Sequence, residues 1–390
     1  MTIAYTDASR ADTRDQPLTG RVLEGRYAVG LALGRGGMST VYAGKQLRLD
    51  RDVAIKVLDP ALHLNAEVSA RFLLEAKLLS RIRHPNVIGV LDYGQTEEGL
   101  MYCVMELLVG SDLDQLLQRM PHGRMPWPGA CDLLAQIADG LGAAHARGIV
   151  HRDVKPPNCF VSFEEGRSGV VKLLDFGVAR AIHQDTVPKL TQAGLLLGTP
   201  SHIAPELLQT KGEATPASDL YALGVTAYRM LSGDIPFVGD TAFAQMTAAC
   251  TEEPASLDDP DLDIPVELQH LVMSLLEKDP AKRPDDARRA AARFRVVAGD
   301  RPKTPLPVDW RDSGVGSPER LDVAPRTASP SELDRTAPVT LTAFTGTETL
   351  EEQAPELELI EPARPAWAPA AWVPAALLVA ALVLVIVLVV

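Results

Sequence analysis

The sequence predicts an α+β protein, with a small β-rich lobe, a larger helical lobe and a cleft between them. Apolar, β-branched runs crowd the stretch from Tyr27 to Leu108. After Gly110 the apolar residues recur mostly at helical spacing. With 390 residues, the chain is long enough to bury a sizeable core.

Residues 1–25 are polar and aperiodic, and predict a flexible arm. From Tyr27, YAVGLALG and TVYAGKQL read as strands around a glycine turn, and DVAIKVLD as a third strand. A helix is expected over Ala66 to Arg83, because Phe72, Ala76, Leu79 and Ile82 share one face. VIGVLDYG and LMYCVMELL supply two more strands. Further helices are expected over Ala130 to Arg147, Ala217 to Leu231, Thr241 to Thr251, Pro265 to Leu276 and Asp285 to Val297. The globular domain therefore covers about 26–298. Residues 299–371, rich in Pro, Thr, Ser and Glu, read as a disordered linker. Within it, Glu348 to Glu361 carries no basic residue.

Residues 372–390 read as a transmembrane helix. No charge follows Arg364, and Ala375 to Val390 is wholly apolar. That pure run would cover roughly 24 Å as a helix, and adding Ala371 to Pro374 brings it near the hydrocarbon thickness. Trp367 and Trp372 stand where interfacial aromatics belong. A buried helix of a soluble domain is the alternative. The N-terminus has no apolar core of signal-peptide length. A net charge of −13 argues against nucleic acid as a partner. The 4 cysteines, Cys103, Cys131, Cys159 and Cys250, lack metal-ligand spacing and fit a reducing cytosol.

Four sequence clusters together suit phosphoryl transfer. That chemistry needs a phosphate cradle, metal ligands, a cation on the phosphates and a carboxylate to orient the attacking hydroxyl. Gly34, Gly36 and Gly37, with Val41 just beyond, lie between two predicted strands, where backbone N–H groups can approach phosphate. Alone, this reads better as an ordinary hairpin turn. Lys56 in VAIK is flanked by apolar residues and needs an anion, which Glu75 on the next helix can supply. Alone, Lys56 is equally a surface lysine at a strand end, and Glu75 reads better as a solvated helix residue. HRDVKPPN is the strongest cluster. Asp153 would accept the substrate hydroxyl's proton, Lys155 would neutralise the transferring phosphate, and Asn158 would hold Mg2+. Asp175 in DFG, after the apolar run VVKLL, needs a compensating cation, and Mg2+ would serve.

In this order and spacing, the chain resembles the eukaryotic-like (Hanks-type) protein kinase family over about Tyr27 to Val297, and the bacterial receptor-type Ser/Thr kinases most. The resemblance implies a bilobal kinase fold, ATP with Mg2+ (Mn2+ able to stand in) and protein substrates. Leu33, Val41, Ala54 and Phe160 would enclose the adenine. Met105 matches the gatekeeper, and Glu106 to Leu108 the hinge. Leu79, Val90, His151 and Phe176 match a stacked apolar spine. Glu206 of APE should pair with Arg283, and Asp219 should hold the backbone of the HRD loop. Lys155 is similar to the Ser/Thr-kinase version of that loop. Arg152 precedes Asp153, as in kinases switched by loop phosphorylation. Thr191 is the expected phosphosite, with Thr186 second, and Arg152 and Arg180 as its partners. Thr199 matches a structural threonine.

The chain also departs from the family pattern. Ser39 replaces the third loop glycine, and His202 and Ile203 replace the usual Tyr and Met. Members of this type often continue into an external sensor, so the apolar end is either a tail anchor or marks a truncated sequence. A single-pass cell-membrane protein with a cytoplasmic kinase domain is expected, with homodimerisation left open. Thr336, Thr340, Thr342, Thr345, Thr347 and Thr349 suggest linker autophosphorylation and docking of phosphothreonine-binding domains, although a solvated spacer fits equally. A pseudokinase scaffold and a small-molecule kinase are the competing functions. Intact Lys56, Asp153, Asn158 and Asp175 oppose the first, and GTPSHIAPE opposes the second.

Overall fold

The computed structural model describes residues 18–62, 65–164, 167–177, 200–209 and 213–299. Its first lobe is a six-stranded antiparallel sheet of β1 (Val22–Leu23), β2 (Tyr27–Arg35), β3 (Ser39–Gln46), β4 (Arg51–Leu58), β5 (Val90–Gln95) and β6 (Met101–Glu106). The strand order is β1-β2-β3-β4-β6-β5. The central strands β4 and β6 are largely buried, as their mostly apolar sequences require. Register places Lys56 opposite Cys103 and Ala54 opposite Met105.

Helix α1 (Ala66–Leu79) starts at Asn65, whose side chain accepts from the N–H groups of Glu67 and Val68. It buries Phe72, Ala76 and Leu79, as its spacing predicts. The chain leaves the helix at Ser80, short of the predicted Arg83, and Ile82 is buried from the following turn.

The second lobe carries a small sheet of β7 (Gly110–Asp112), β8 (Cys159–Glu164) and β9 (Arg167–Leu173), in the order β7-β8-β9. Around it lie α2 (Leu113–Gln118), α3 (Trp127–His145), α4 (Pro205–Gln209), α5 (Pro216–Ser232), α6 (Ala242–Thr251), α7 (Val266–Leu275) and α8 (Ala287–Ala298). Helix α3 packs against α5, α8 and β9. Gly140 permits a close approach of the loop after α1, since a Cβ there would stand 2.7 Å from the Asn86 carbonyl. Helix α5 is framed by a Thr215–Ser218 capping box and by Gly233, left-handed at φ 89°. A parallel bridge between Val87 and Leu173 joins the loop after α1 to β9.

The arm expected over 1–25 is corrected at its inner end. Leu18 and Leu23 are buried, and Val22 and Leu23 pair with β2. A polar clasp also covers this edge. Arg26 donates to Glu24 at 2.7 Å and to Asp92 at 2.8 Å, and Tyr102 Oη donates to Glu24 at 2.7 Å. Apart from Gly299, residues 299–371 and 372–390, with their linker and membrane expectations, lie outside the described residues.

Candidate active site

Lys56 is the centre of the site. Strand β4 carries it in from one side and α1 brings Glu75 to meet it. Its Nζ donates to Glu75 Oε1 at 3.0 Å and to Asp175 Oδ1 at 2.7 Å. Burial opposes charge on Lys56, but the Asp175 and Glu75 carboxylates outweigh it and hold the ammonium above its ordinary value. Burial also works against the Asp175 carboxylate, yet Lys56 draws it below its usual range. Glu75 behaves differently. Burial raises it, and the longer contact with Lys56 does not reverse the shift. The predicted Lys56–Glu75 pair is therefore present, with Asp175 as the nearer partner of the cation.

The HRD loop is held from α5. Asp219, 1% exposed, accepts the N–H of His151 and of Arg152, each at 2.8 Å, and Nε2–H of His145 at 2.7 Å. Arg152 takes a left-handed φ of 68°. Such a conformation costs about 1–3 kcal/mol and persists only where its surroundings fix it, which the Asp219 bonds do here. These bonds place Asp219 on the backbone of the HRD loop. His145 was missed, because a histidine seven residues before Arg152 carries no local signal.

Asp153 Oδ2 lies 3.0 Å from Lys155 Nζ. Asn158 Nδ2 donates to Asp153 O at 2.8 Å and to Asp153 Oδ2 at 2.9 Å. With its amide nitrogen committed, Asn158 has Oδ1 left for a cation. Gly177 N–H donates to His151 O, and Leu174 N–H to Asn158 O, which ties DFG to the catalytic loop. His151 and Phe176 meet with ring centroids 4.3 Å apart. Leu79 is buried and Val90 partly buried in the same apolar cluster, as the spine predicts.

The residues predicted to enclose adenine gather in one apolar cluster. Val41, Ala54, Met105, Leu108 and Phe160 are buried there, and Leu33 packs against them. Gly34 pairs with Val41, and Gly36 N–H closes the hairpin on Ser39 O at 2.8 Å. A small cavity is lined partly by Lys56, Glu75, Leu79, Cys103, Met105 and Asp175. Val41, Ala54 and Phe160 do not line it. Glu106 has an unforeseen second task. Its Oε1 accepts from Gly89 N–H at 2.7 Å and from Lys172 Nζ at 2.8 Å, anchoring the first hinge residue.

Glu206 and Arg283 form the expected pair through both carboxylate oxygens, at 2.8 and 2.7 Å. Thr186, Thr191, Arg180 and Thr199 lie outside the described residues, so the activation-loop expectation is neither met nor overturned.

No group of three or more His, Cys, Asp or Glu suited to a metal occurs among the described residues. A metal held by Asp175 and Asn158 would share its shell with a ligand. An acid and an amide oxygen are hard donors that suit Mg2+ in combination with phosphate oxygens.

A two-lobed fold with this lysine, carboxylate and amide constellation defines a nucleotide-dependent phosphotransferase class. Residues 27–293 match the family described as the protein kinase domain, and the chain belongs to that family. The serine/threonine-protein kinase pkn2 of Myxococcus xanthus is 44% identical over 274 residues, covering 69% of this chain and 32% of pkn2. Serine/threonine-protein kinase PknL of Mycobacterium tuberculosis is 37% identical over 292 residues, covering 74% of this chain and 69% of PknL. The crystal structure of the M. tuberculosis PknI kinase domain superposes with a TM-score of 0.53 at 27% identity, covering 71% of this chain and 97% of that one. The chain thus spans about a third of the length of pkn2 and about two-thirds of PknL.

Proposed function

We propose that this chain is a Ser/Thr protein kinase that transfers the γ-phosphate of ATP to protein hydroxyls. The observation that carries this reading is Lys56 held between Glu75 and Asp175, beside a catalytic loop in which Asp153, Lys155 and Asn158 bond one another. The named Ser/Thr kinases among its relatives support the same reading.

Each residue has a chemical task. Lys56, aligned by Glu75, positions the α- and β-phosphates. Asp175 and Asn158 would hold Mg2+, which would supply charge neutralisation on the phosphate oxygens. Asp153 accepts the hydrogen bond of the substrate hydroxyl and takes its proton. The new oxygen–phosphorus bond forms as the bond to the bridging oxygen of ADP breaks. Lys155 offsets charge on the phosphoryl oxygens in transit. A pseudokinase reading loses ground because Lys56, Asp153, Asn158 and Asp175 are all present, Lys56 bonding Asp175 and Asn158 bonding Asp153.

The full chain would be incubated with γ-labelled ATP, Mg2+ and a generic protein substrate, alongside Asp153→Asn. Labelled phosphoserine or phosphothreonine that disappears in Asp153→Asn supports the reading. No label with wild type refutes it.

The rest of the proposal concerns residues beyond the described fold. Among the described residues no helix is long and apolar enough to cross a membrane. The wholly apolar run Ala375 to Val390 motivates a single-pass anchor, with the kinase domain on the cytoplasmic side. Autophosphorylation is proposed at Thr191 and in the Thr336–Thr349 cluster, where tethering raises the effective concentration. Phosphothreonine-binding domains are the partners that cluster would attract. Mass spectrometry of enzyme incubated with ATP checks both sites, and phosphate at neither removes this part.

A further inference from the structure

The strand that leads into DFG carries a charge that the proposed chemistry does not use. In its apolar run VVKLL the polar residue is Lys172, which is 8% exposed. Its register partner on β8 is Phe160, one of the residues expected to enclose adenine, so both side chains leave the same face of the sheet. Lys172 Nζ donates to Glu106 Oε1 at 2.8 Å, where β6 ends and the hinge begins. The same oxygen accepts from Gly89 N–H at 2.7 Å, and Glu106 N–H donates back to Gly89 O at 3.0 Å. A Cβ on Gly89 would crowd that oxygen at 3.2 Å. Gly89 belongs to the loop after α1, which is itself bonded to β9: Leu173 N–H donates to Asn86 O, and Ile88 N–H to Leu173 O. The hinge, this loop and the strand before Asp175 therefore close a triangle, with Lys172 and Glu106 as its ionic side. A largely buried ion pair is a poor stabiliser, because desolvation offsets much of the attraction, and an apolar residue would suit the strand better. Such a pair fixes position instead.

We propose that Lys172 is a positioning residue for the nucleotide: by holding the Glu106 carboxylate it fixes the hinge backbone against the adenine edge, and so sets the affinity and base selectivity of the site. The inference rests on the proposed kinase activity, with Glu106 to Leu108 as the hinge. Lys172 itself touches neither nucleotide nor substrate, and acts through Glu106. Adenine offers a 6-amino donor to a backbone carbonyl, and such a bond weakens steeply once distance or angle departs from its optimum. Without Lys172, the Glu106 side chain, 27% exposed, keeps the Gly89 N–H as its remaining donor of the two and turns toward water. The hinge backbone then shifts, and the bond to the 6-amino group suffers. The grip of Lys56 on the phosphates is set by Glu75 and Asp175, and stays in place.

The test uses the full chain, Mg2+, a generic protein substrate and two nucleotides, ATP and purine riboside triphosphate, which lacks the 6-amino group. Wild type is expected to show a KM for ATP about 10-fold below that for the analogue. Lys172→Met should raise the KM for ATP by about 10-fold, leave that for the analogue within about 2-fold, and change kcat by less than about 3-fold. Lys172→Arg, which keeps a cation for Glu106, should recover most of the loss. Glu106→Gln keeps an oxygen for Gly89 N–H but no charge for Lys172. It should also raise the KM for ATP, and adding Lys172→Met to it should cost little more. A general structural defect would penalise both nucleotides alike or act on kcat, and either pattern overturns the proposal. An unchanged KM for ATP in Lys172→Met overturns it too. Should Lys172→Met fail to fold, Glu106→Gln decides in its place, and an unshifted KM for ATP there is the refuting result. Equal wild-type KM values for the two nucleotides overturn the proposal whatever the variants do. If wild type transfers phosphate from neither nucleotide, the kinase reading falls and takes this inference with it.

Discussion

Replacing Asp219 by Asn tests how the catalytic loop is held. The carboxylate serves two backbone donors with two oxygens, Oδ1 for Arg152 and Oδ2 for His151, and Oδ2 also accepts from His145. Asparagine keeps one oxygen and presents an NH2 group in place of the other. Its better orientation keeps the oxygen toward His151 and His145, which turns the NH2 toward the Arg152 N–H. One buried donor is then orphaned at about 1–3 kcal/mol, and the surviving bonds lose their charge assistance, roughly another 1 kcal/mol. The expected destabilisation is about 2–4 kcal/mol, or roughly 5–15 °C in Tm for a domain of this size. Arg152 also loses the bond that fixes its left-handed φ of 68°, one residue from Asp153. Turnover should therefore fall, by about 100-fold if Asp153 shifts by 1 Å. Thermal melting and initial rates of phosphate transfer measure both effects. A variant melting within about 1 °C of wild type with full activity would refute the reasoning.

Arg283→Lys should destabilise by about 3–5 kcal/mol, since an ammonium cannot replace the buried fork that also donates to the Ala217 and Glu277 carbonyls; the shift in denaturation midpoint measures it. Tyr221→Phe should be neutral or stabilise by up to about 1 kcal/mol, because its hydroxyl is buried without a partner among the described residues; a clear drop in Tm would show that the hydroxyl is bonded after all. Burial pushes the thiols of Cys103, Cys131 and Cys159 up to about 12. Native enzyme treated with iodoacetamide near pH 8 should therefore carry label first at the half-exposed Cys250, read by peptide mass spectrometry.

Much of the site was legible because phosphoryl transfer restricts residue types. Lys56, Asp153, Asn158 and Asp175 are few chemical solutions to a fixed problem, so their order in the chain announces them. The long helices α3 and α5 were legible because their largely apolar sequences run on for several turns, and both are buried nearly all round. What escaped was set by distance in the chain. Strand β1 is two residues long and exists through its pairing with β2 and the burial of Leu18 and Leu23. The clasp joins Glu24 and Arg26 to Asp92 and Tyr102, more than 60 residues away, where no local pattern reports it. Glu106 reads as a hinge residue valued for its backbone, yet its side chain binds Lys172, 66 residues on. The expected helix ran past the end of α1 because Ile82 keeps the apolar period while belonging to the next turn.

A double-mutant cycle on Lys56 and Asp175, 2.7 Å apart, tests most directly whether these side chains act as one phosphoryl-transfer site. Lys56→Met, Asp175→Asn and the double variant would be compared in kcat/KM for phosphate transfer. Each single change is expected to lower it by at least about 100-fold, with the double variant falling little below the worse single. Losses that multiply independently, or a single variant with near wild-type transfer, would contradict the shared site.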